Sequence, residues 1–395
     1  MIMTELHSKR ILLGITGGIA AYKAAELVRL LVKAGYDVQC VMTEAAQHFI
    51  GAATLQALSG KPVLMKLWGE ASGDGMDHIR LSREADAILI APTSANFIAK
   101  LAHGLADDLL STLCLARACP LAVAPAMNKQ MWDNLATQRN LVQIRQDGIN
   151  VIGPASGEQA CGELGMGRML EPETLLIELE ALFQPKLIAG KHVMITAGPT
   201  YEPIDPVRGI TNLSSGKMGY ALARAAWEAG ATVTLVSGPT ALTTPPNVRM
   251  ISVTTAQEMH DEVMRGIKKM DIFIGVAAVA DYRVAHIAQQ KLKKTKTAPT
   301  LTLESNPDIL AKVAALPKAP FCVGFAAETE KLSEHAQAKR ATKAIPLIIA
   351  NRAQDALGQD ESTLILIDSN GSHALPRQPK LLSARQVIKH IASLL

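Results

Sequence analysis

The sequence predicts an α/β fold in which two Rossmann-like or flavodoxin-like parallel-sheet domains follow one another in tandem. Three observations support this prediction. The chain has 395 residues, more than a single hydrophobic core usually organises. Short runs rich in β-branched residues alternate with amphipathic helical stretches, as in parallel sheets covered by helices. The alternation pauses at residues 184–191, around a proline and a glycine, and then begins again.

The first half opens with a strand, a glycine-containing loop and an amphipathic helix. Its strands are expected at Arg10–Ile15, Asp37–Met42, Asp86–Ala91, Leu121–Pro125 and Ile149–Ile152. Its helices are expected at Ala20–Lys33, Ala95–Leu101, Asp108–Arg117 and Met131–Asp147. A glycine-rich loop from Pro154 to Gly167 should follow, and then a helix that starts at Pro172, because proline suits the first helical turn.

The second half repeats the opening pattern, so the expected domains are residues 1–187 and residues 188–395. Its strands are expected at His192–Thr196, Ile272–Val276, Phe321–Phe325 and Pro346–Ala350, before a final helix over Leu382–Leu394. Each half therefore begins with a mononucleotide-binding βαβ unit. Two such units in one chain indicate two separate phosphate-bearing ligands.

Composition and charge exclude several classes of function. A net charge of +4 and an aromatic content of 4% argue against nucleic-acid binding. The five cysteines form no C-x-x-C pair, which predicts a reducing compartment without disulfides or structural zinc. The apolar stretch Ile11–Ala21 resembles a secretory signal, but glycines interrupt it, and no apolar run reaches the ~18 residues of a membrane span. We expect a soluble cytoplasmic protein that does not bind a membrane.

The loop after the first strand, residues 14–19 (G-I-T-G-G-I), is suited to binding a phosphate. Gly17 and Gly18 let backbone N–H groups approach an anion at the positive end of the following helix. The loop is not a G-x-G-x-x-G motif, and the second strand ends at Thr43, where a dinucleotide site has an acidic residue. The pattern favours a mononucleotide over NAD, and a tight turn without a ligand is the alternative.

Two further loops follow predicted strands of the same sheet. Thr93, Ser94 and Asn96 supply hydroxyls and an amide, and Asn128 follows the next strand. Because ligands bind at the carboxyl edge of a parallel sheet, these loops are expected to face one site. The amide of Asn128 either binds a carboxylate or amide of a substrate or caps the next helix.

These loops, with two longer motifs, resemble the homo-oligomeric flavin-containing cysteine decarboxylases. The motifs are P-A-M-N-K-Q-M-W at residues 125–132 and G-E-Q-A-C-G-E-L-G-M-G-R-M at residues 157–169. The resemblance implies oxidation of 4'-phosphopantothenoylcysteine at sulfur, loss of CO2 and formation of 4'-phosphopantetheine, with FMN as cofactor. The implied FMN-binding residues are Gly17, Gly18, Thr43, Thr93, Ser94 and Asn96.

The same resemblance assigns three catalytic residues. His78 matches the family's catalytic histidine, Asn128 the residue that holds the substrate's carboxylate or amide, and Cys161 the proton donor to the ene-thiol. From the residues alone, a structural histidine and a small buried cysteine remain the alternatives. The glycines around Cys161 are typical of a flap that closes over a substrate.

The loop at residues 211–219 of the second half also suits a phosphate, since it places hydroxyls, glycines and a lysine at a helix start. It is not a P-loop. Thr211 stands where the first glycine belongs, and Met218 stands where the magnesium-binding hydroxyl belongs.

Several motifs of this half together resemble the phosphopantothenate–cysteine ligases. They lie at residues 202–208, 211–219, 277–282, 291–294, 306–310 and 324–329. Gly209, where an aromatic is common, and Leu213, where the family varies, are departures. The resemblance implies that CTP activates 4'-phosphopantothenate as an acyl-cytidylate, which L-cysteine then attacks to give phosphopantothenoylcysteine, CMP and pyrophosphate.

The resemblance further implies that Asn212 and Lys291 handle the acyl intermediate. The implied CTP-binding residues are Asp281, Lys291, Pro307, Asp308, Ile309, Leu310, Phe325, Lys339 and Lys343. Mg²⁺ would accompany CTP through few protein carboxylates. For the lysines, a solvated surface is the alternative.

Two other functions remain open from the residues: a flavin reductase with a separate binding domain, and a regulatory subunit that has lost activity. His78, Asn128 and Cys161 together disfavour the second, because a binding subunit needs no proton donor. The resemblance also implies trimers of the first half, dimers of the second and a dodecamer where both combine.

Overall fold

A computed structural model of the chain describes residues 8–67, 77–160, 162–294, 300–328, 332–352 and 358–395. The chain divides between Phe183 and Gln184 into two compact units. Each unit is described by itself below.

The first unit contains seven strands and eight α-helices within its described residues. The strands are β1 (Arg10–Ile15), β2 (Asp37–Met42), β3 (Ala87–Thr93), β4 (Leu121–Pro125), β5 (Asn150–Val151), β6 (Ala155–Glu158) and β7 (Leu164–Arg168). The helices are α1 (Lys23–Lys33), α2 (Ala52–Ser59), α3 (Asp77–Glu84), α4 (Ala95–His103), α5 (Leu109–Ala116), α6 (Lys129–Asp133), α7 (Leu135–Gln146) and α8 (Pro172–Leu182).

Five parallel strands form the central sheet of this unit in the order β2-β1-β3-β4-β5. Neighbouring residues of β1 point to opposite faces, with Leu13 in one apolar cluster and Leu12 in the other. Every residue of β3 is buried, as expected for a central strand covered by helices on both sides. The strand order reverses beside β1, which creates a switch point between β1 and β3.

The structure differs from the sequence prediction in two places of this unit. The expected helix over Met131–Asp147 is two helices, because Asn134 caps α7 by accepting a hydrogen bond from the N–H of Ala136 at 2.9 Å. The expected loop over Pro154–Gly167 contains the antiparallel hairpin β6–β7. The hairpin was not predicted because its glycines interrupt the alternation that is typical of a strand. Hydrogen bonds to a loop that is distant in sequence hold it in place.

The second unit contains twelve strands and five α-helices within its described residues. The strands are β8 (His192–Ala197), β9 (Tyr201–Pro203), β10 (Gly209–Thr211), β11 (Thr232–Ser237), β12 (Arg249–Ser252), β13 (Ile272–Gly275), β14 (Tyr282–Val284), β15 (Leu303–Ser305), β16 (Phe321–Glu328), β17 (Leu347–Arg352), β18 (Glu361–Asp368) and β19 (Gly371–Pro379). The helices are α9 (Lys217–Glu228), α10 (Ala256–Gly266), α11 (Ile309–Ala314), α12 (Leu332–Thr342) and α13 (Lys380–Leu394).

The eight-stranded sheet of this unit has the order β12-β11-β8-β13-β16-β17-β18-β19. Its first six strands are parallel and follow the doubly wound Rossmann order, with the switch point between β8 and β13. The antiparallel pair β18–β19 extends the sheet and was not predicted. Helix α9 packs directly on β8 at Gly219, where an added Cβ would lie 2.5 Å from the Cβ of Ala197.

A threonine hydroxyl bridges the switch point in each unit. Thr16 directly follows β1 in the first unit, and Thr196 lies near the end of β8 in the second. In the first unit, Thr16 Oγ1 donates to the carbonyl of Pro92 and accepts from the N–H of Ser94, both at 2.9 Å. In the second unit, Thr196 Oγ1 accepts from the N–H groups of Val276 and Ala277 at 3.2 and 3.3 Å. Each hydroxyl therefore ties together two loops that leave the sheet in different directions.

We predict that Thr16→Val lowers the free energy of unfolding of the first unit by about 1–3 kcal/mol. The substitution keeps the side chain's shape but leaves the Ser94 N–H without its partner, and it removes one of the two hydrogen bonds that the Pro92 carbonyl accepts. Urea denaturation measures the effect, and Thr16→Ser, which keeps the hydroxyl, is the control. Equal stability of the valine and serine variants would contradict the bridging role.

Candidate active sites

A cavity of about 450 Å³ lies at the switch point of the second unit. Its walls come from the end of β8, the start of α9, the segment after β13 and the start of α11. Side chains from Phe325 of β16 and from α12 close another side. The cavity is therefore at the carboxyl edge of the parallel strands, where this class of sheet binds ligands.

Eight of the residues that sequence analysis assigned to a nucleotide line this cavity. They are Asp281, Pro307, Asp308, Ile309, Leu310, Phe325, Lys339 and Lys343. Two other assigned residues do not line it. Lys291 is exposed, and Asn212 lies behind the wall, where its amide nitrogen donates to the carbonyl of Ala278 and its oxygen accepts from Ser214 N–H at 3.0 Å.

An ion pair marks one side of the cavity. Lys343 Nζ lies 2.8 and 2.9 Å from the two carboxylate oxygens of Asp308, which also caps α11 through the N–H of Ala311. Partial burial raises the pKa of the Asp308 carboxyl, but the Lys343 ammonium outweighs this and the pKa lies below its ordinary value. Asp308 thus stays ionised and holds Lys343 at the cavity, with Lys339 one helical turn away.

Two further lysines line the opposite side and were missed by sequence analysis. Lys217, the first residue of α9, is 2.6 Å from Asp360 Oδ1, and Lys380, the first residue of α13, donates to the carbonyl of Gln359. Lys380 is only 7% exposed, and burial together with the neighbouring Lys217 charge lowers the pKa of its ammonium. Placing two cations beside the N-terminus of α9 makes this region suited to an anion.

A buried carboxylate fixes the segment that carries Lys291. Asp205 is 1% exposed, and its oxygens accept hydrogen bonds from the N–H groups of Val207, Arg208 and Leu292 at 2.8, 2.9 and 3.0 Å. The Arg208 guanidinium binds the same carboxylate and also donates to the Leu292 carbonyl at 2.6 Å. Hydrogen bonding to Arg208 keeps the pKa of Asp205 far below its ordinary value. The residue next to Lys291 is therefore anchored at both its N–H and its carbonyl.

The predicted flavin-binding loops of the first unit meet at the β1–β3 switch point. Gly17 and Gly18 follow β1, Thr43 follows β2, and Ser94 caps α4 by accepting from the Phe97 N–H at 3.3 Å. An added Cβ at Gly18 would meet no atom within 4 Å, so this side of the loop is open.

Two of the predicted flavin-binding side chains differ in whether a ligand can reach them. Asn96 is exposed in the first turn of α4, whereas the Thr93 hydroxyl is buried. Thr93 Oγ1 donates to the Ile90 carbonyl at 2.6 Å and accepts from the Ala124 N–H at 3.1 Å. The Thr93 carbonyl also accepts from the Ala126 N–H at 3.0 Å, so Thr93 shapes the strand end rather than presenting its hydroxyl to a ligand.

Asn128 both caps a helix and contacts the β6–β7 hairpin. Its oxygen accepts from the N–H groups of Gln130 and Met131, and its amide nitrogen donates to Glu163 Oε2 at 2.6 Å. A second link joins the Lys129 N–H to Gln159 Oε1 at 2.9 Å. The hairpin is thus held against the loop after β4.

The structure locates the other predicted catalytic residues only partly. Cys161 lies outside the described residues, and in the sequence it stands between β6 and β7. His78 belongs to α3, and its side chain is also outside the described part.

The four other cysteines are poorly suited to proton transfer. Burial raises the pKa of Cys40 and Cys114 to about 12 and that of Cys322 to about 11, and it also raises that of Cys119. These thiols stay protonated near neutral pH and lie within apolar clusters or beside them. They are therefore unlike reactive cysteines, which have a lowered pKa.

Sequence comparisons relate each half of the chain to a known family. Residues 2–184 match the flavoprotein family, and residues 188–395 match the DNA/pantothenate metabolism flavoprotein C-terminal domain. The chain is 51% identical to the coenzyme A biosynthesis bifunctional protein CoaBC of Vibrio vulnificus, with both proteins covered completely. The CoaBC proteins of Haemophilus influenzae and Bacillus subtilis are 48% and 42% identical, with 98% of each chain covered.

Solved structures similar to parts of the chain include the C-terminal domain of a CoaBC protein and a mutant PPC decarboxylase complexed with pantothenoylaminoethenethiol. The first is 38% identical, covers 53% of this chain and 97% of that domain, and has a TM-score of 0.47. The second is 34% identical, covers 44% of this chain and 97% of that chain, and has a TM-score of 0.40.

The two doubly wound α/β units and the family matches define a two-domain metabolic enzyme that contains a flavoprotein domain. The chain belongs to the family of bifunctional coenzyme A biosynthesis proteins, in which a decarboxylase domain precedes a ligase domain. This membership confirms the predicted fold class and pair of activities, and it replaces the reductase and inactive-subunit alternatives. Within the described residues, no helix is both long and apolar enough to span a membrane.

We predict that Gly167→Ala impairs decarboxylation and leaves ligation unchanged. Gly167 has a φ of +136°, and an added Cβ would lie 2.3 Å from the carbonyl oxygen of Met127. The alanine must therefore push the hairpin away from the loop that carries Asn128. We expect kcat/KM for decarboxylation to fall by about 100-fold, because small misplacements of reacting groups cost this much.

CO2 release from supplied phosphopantothenoylcysteine measures this effect. Gly51→Ala is the matched control, since Gly51 has ordinary dihedral angles and open space around its Cβ position. A Gly167→Ala variant as active as the Gly51→Ala variant would show that the hairpin's position does not matter.

We predict that Asp205→Asn lowers kcat for ligation by between about 10- and 100-fold, because it weakens the anchor of the Lys291 segment. Decarboxylation should keep its rate. Asp261→Asn, an exposed carboxylate on α10, serves as the control. Pyrophosphate release measures ligation, and wild-type ligation by Asp205→Asn would contradict the anchoring role.

Proposed function

We propose that the second domain joins L-cysteine to 4'-phosphopantothenate with CTP, and that the first domain decarboxylates the resulting phosphopantothenoylcysteine with FMN. The observation that carries the first step is the switch-point cavity, which collects eight residues assigned to the nucleotide from sequence. The two steps are chemically consecutive, since the product of the ligase is the substrate of the decarboxylase.

In the ligase step, the substrate carboxylate attacks the α-phosphorus of CTP and pyrophosphate leaves. The cysteine amine then attacks the acyl carbon, CMP leaves and the amine loses a proton. Pyrophosphate departs with growing negative charge, which fixed cations stabilise in a site that excludes water. We assign Lys339 and Lys343 on one side of the cavity, and Lys217 and Lys380 on the other, to this charge.

We propose that Mg²⁺ enters this cavity bound to the triphosphate. The Asp308 carboxylate is already engaged by Lys343. The Asp281 carboxylate also lines the cavity and has no side-chain hydrogen bond within the described residues. Oxygen ligands of this kind suit Mg²⁺, which keeps several waters and the phosphates as its other ligands. Asp281 is therefore the protein carboxylate that we assign to the metal.

We propose that Asn212 and Lys291 act on the acyl group. The Asn212 amide joins the Ala278 carbonyl to the Ser214 N–H, so it fixes the relative position of two cavity walls. Lys291 is exposed beside the anchored Leu292, from where its ammonium is free to meet a substrate carboxylate.

The first domain fits FMN in the chemistry of its loops. Backbone N–H groups at Gly17 and Gly18 are suited to the phosphate, and Thr43, Ser94 and Asn96 supply hydroxyl and amide groups beside them. The phosphate-binding edge is also the switch point, where doubly wound proteins of this strand order bind FMN. When bound, FMN supplies a two-electron oxidation followed by the return of the electrons.

The protein's own residues position the substrate and move protons in this proposal. Asn128 holds the substrate's carboxylate or amide, His78 takes a proton as a base, and Cys161 gives a proton to the ene-thiol. The contact between Asn128 and Glu163 supports the hairpin as the element that brings Cys161 towards this site.

We further propose a domain boundary between residues 187 and 188, a cytoplasmic location, and assembly from trimers of the first domain and dimers of the second into a dodecamer. The division of the compact units at Phe183–Gln184 and the family matches ending at residue 184 and starting at residue 188 support a boundary in this segment. Analytical ultracentrifugation of the full chain tests the assembly.

Incubation of the purified chain with 4'-phosphopantothenate, L-cysteine, CTP and Mg²⁺ tests the whole proposal. We expect 4'-phosphopantetheine by mass spectrometry, with one pyrophosphate and one CO2 per product. Cys161→Ser should release CO2 and let the substrate reduce the flavin, but it should accumulate the decarboxylated ene-thiol rather than product. A colourless protein after FMN is supplied, or ligation without any nucleotide, would contradict the proposal.

We predict that Lys380→Gln raises the KM for CTP by about tenfold, because a buried cation is lost from the phosphate side of the cavity. The KM for L-cysteine should be unchanged. Lys389→Gln is the matched control, since Lys389 is exposed on the same helix. Initial rates of pyrophosphate release measure both variants, and an unchanged KM for CTP in Lys380→Gln would remove this lysine from the site.

A further inference from the structure

Three side chains with metal-binding groups converge in the second unit, at Asp368, His373 and His390. Asp368 ends β18, His373 lies in β19 and His390 lies in α13. The Nε2 atoms of His390 and His373 are 2.8 and 3.3 Å from Asp368 Oδ2, and the two ring centroids are 4.8 Å apart. One ligand atom from each residue lies within 4.8 Å of the others.

The carboxylate is held in a fixed orientation by the turn that follows it. Asp368 Oδ1 accepts hydrogen bonds from the N–H groups of Asn370 and Gly371 at 2.6 and 3.1 Å. These bonds direct Oδ2 towards the two imidazoles. Hydrogen bonds to the outer oxygen are also what orients a carboxylate that binds a metal.

The cluster is fixed on one side and open on the other. The Asp368 side chain is 1% exposed and that of His390 is 19% exposed, whereas the His373 side chain is 42% exposed. His390 Nε2 faces Oδ2, and His373 Nε2 lies between the two carboxylate oxygens, 3.4 Å from Oδ1 and 3.3 Å from Oδ2. An ion bound between these groups would therefore use all three residues at once. Solvent can reach the His373 side and supply a further ligand.

We propose that Asp368, His373 and His390 form a site for a divalent transition-metal ion, with Zn²⁺ as the preferred ion and water in the fourth position. Two imidazole nitrogens and one carboxylate oxygen are a common zinc ligand set, and imidazole suits Zn²⁺ better than it suits Mg²⁺. Sequence analysis predicted no structural zinc because the cysteines are unpaired, and this proposal departs from that prediction because the cluster uses histidines and a carboxylate in place of cysteines.

The location of the cluster assigns the metal a structural role. Strand β18 runs antiparallel to β17, whose carboxyl end contributes Asn351 to the ligase cavity. Asp368 at the far end of β18 is therefore at the opposite edge of the sheet from the cavity. An ion at this position joins the terminal hairpin β18–β19 to α13 and takes no part in ligation.

Isothermal titration of Zn²⁺ into the chelator-treated, tag-free, FMN-bound full chain tests the proposal. We expect one ion per chain at this site and a rise of the thermal unfolding midpoint that saturates with it. His373→Ala should weaken binding more than ~10-fold, since even an outer-shell partner of a metal is worth that much. His286→Ala, an exposed histidine outside the cluster, is the control and should bind as the wild type does.

Two further measurements distinguish the loss of the metal site from a loss of folding. His373→Ala should retain wild-type ligation, which shows that the variant is folded, and Co²⁺ should give tetrahedral absorption bands in the wild type that this variant lacks. No saturable Zn²⁺ binding, or equal binding by wild type and His373→Ala, would overturn the proposal and leave the cluster as a hydrogen-bonded contact without metal.

Discussion

The reversal of strand order beside the first strand is the constraint on which both halves of this protein depend. At that point, the loops from two neighbouring parallel strands leave the sheet towards opposite faces, and a cleft opens between them. A threonine hydroxyl crosses each gap, from Thr16 in the first unit and from Thr196 in the second. The hydroxyl accepts hydrogen bonds from backbone N–H groups beyond the neighbouring strand, and so it holds the two loops of each switch point together.

Charge then distinguishes the two switch points. The first unit presents glycine amides, hydroxyls and an exposed asparagine, which suits a single phosphate and a polar ring system. The second unit places lysines on two sides of its cavity, which suits a triphosphate. Two of these lysines are paired with carboxylates, Lys343 with Asp308 and Lys217 with Asp360, so they are positioned before any ligand arrives. The same fold thereby supports a redox decarboxylation in one domain and a nucleotide-driven ligation in the other.

Local sequence was sufficient to predict the features that depend on local physics. Buried strands such as β1 and β13 are runs of β-branched and aliphatic residues, and Asn128 at a helix start was recognised as a possible cap, a role that it has. The features that were missed depend on distant partners. The hairpin β6–β7 is rich in glycine and is held by Gln159 and Glu163 against the loop after β4.

In the candidate sites, too, the residues that were predicted depend on local sequence and the residues that were missed depend on distant partners. A family resemblance supplied the nucleotide residues, because most of them lie in short contiguous motifs such as residues 306–310. Lys380 was missed because it reaches the cavity from the last helix, about 160 residues after the α9 loop that it faces. The anchoring of Leu292 by Asp205 was missed for a similar reason, since 87 positions separate the two residues.

Amide hydrogen exchange with and without CTP and Mg²⁺ tests the central claim most directly. If the switch point of the second domain is the nucleotide site, CTP should slow exchange in residues 214–219, 275–281 and 306–310, which surround the cavity. Exchange at residues 230–233, at the opposite edge of the same sheet, should not change. Protection at that opposite edge, or none in the three loops at a saturating concentration of CTP, would contradict the account.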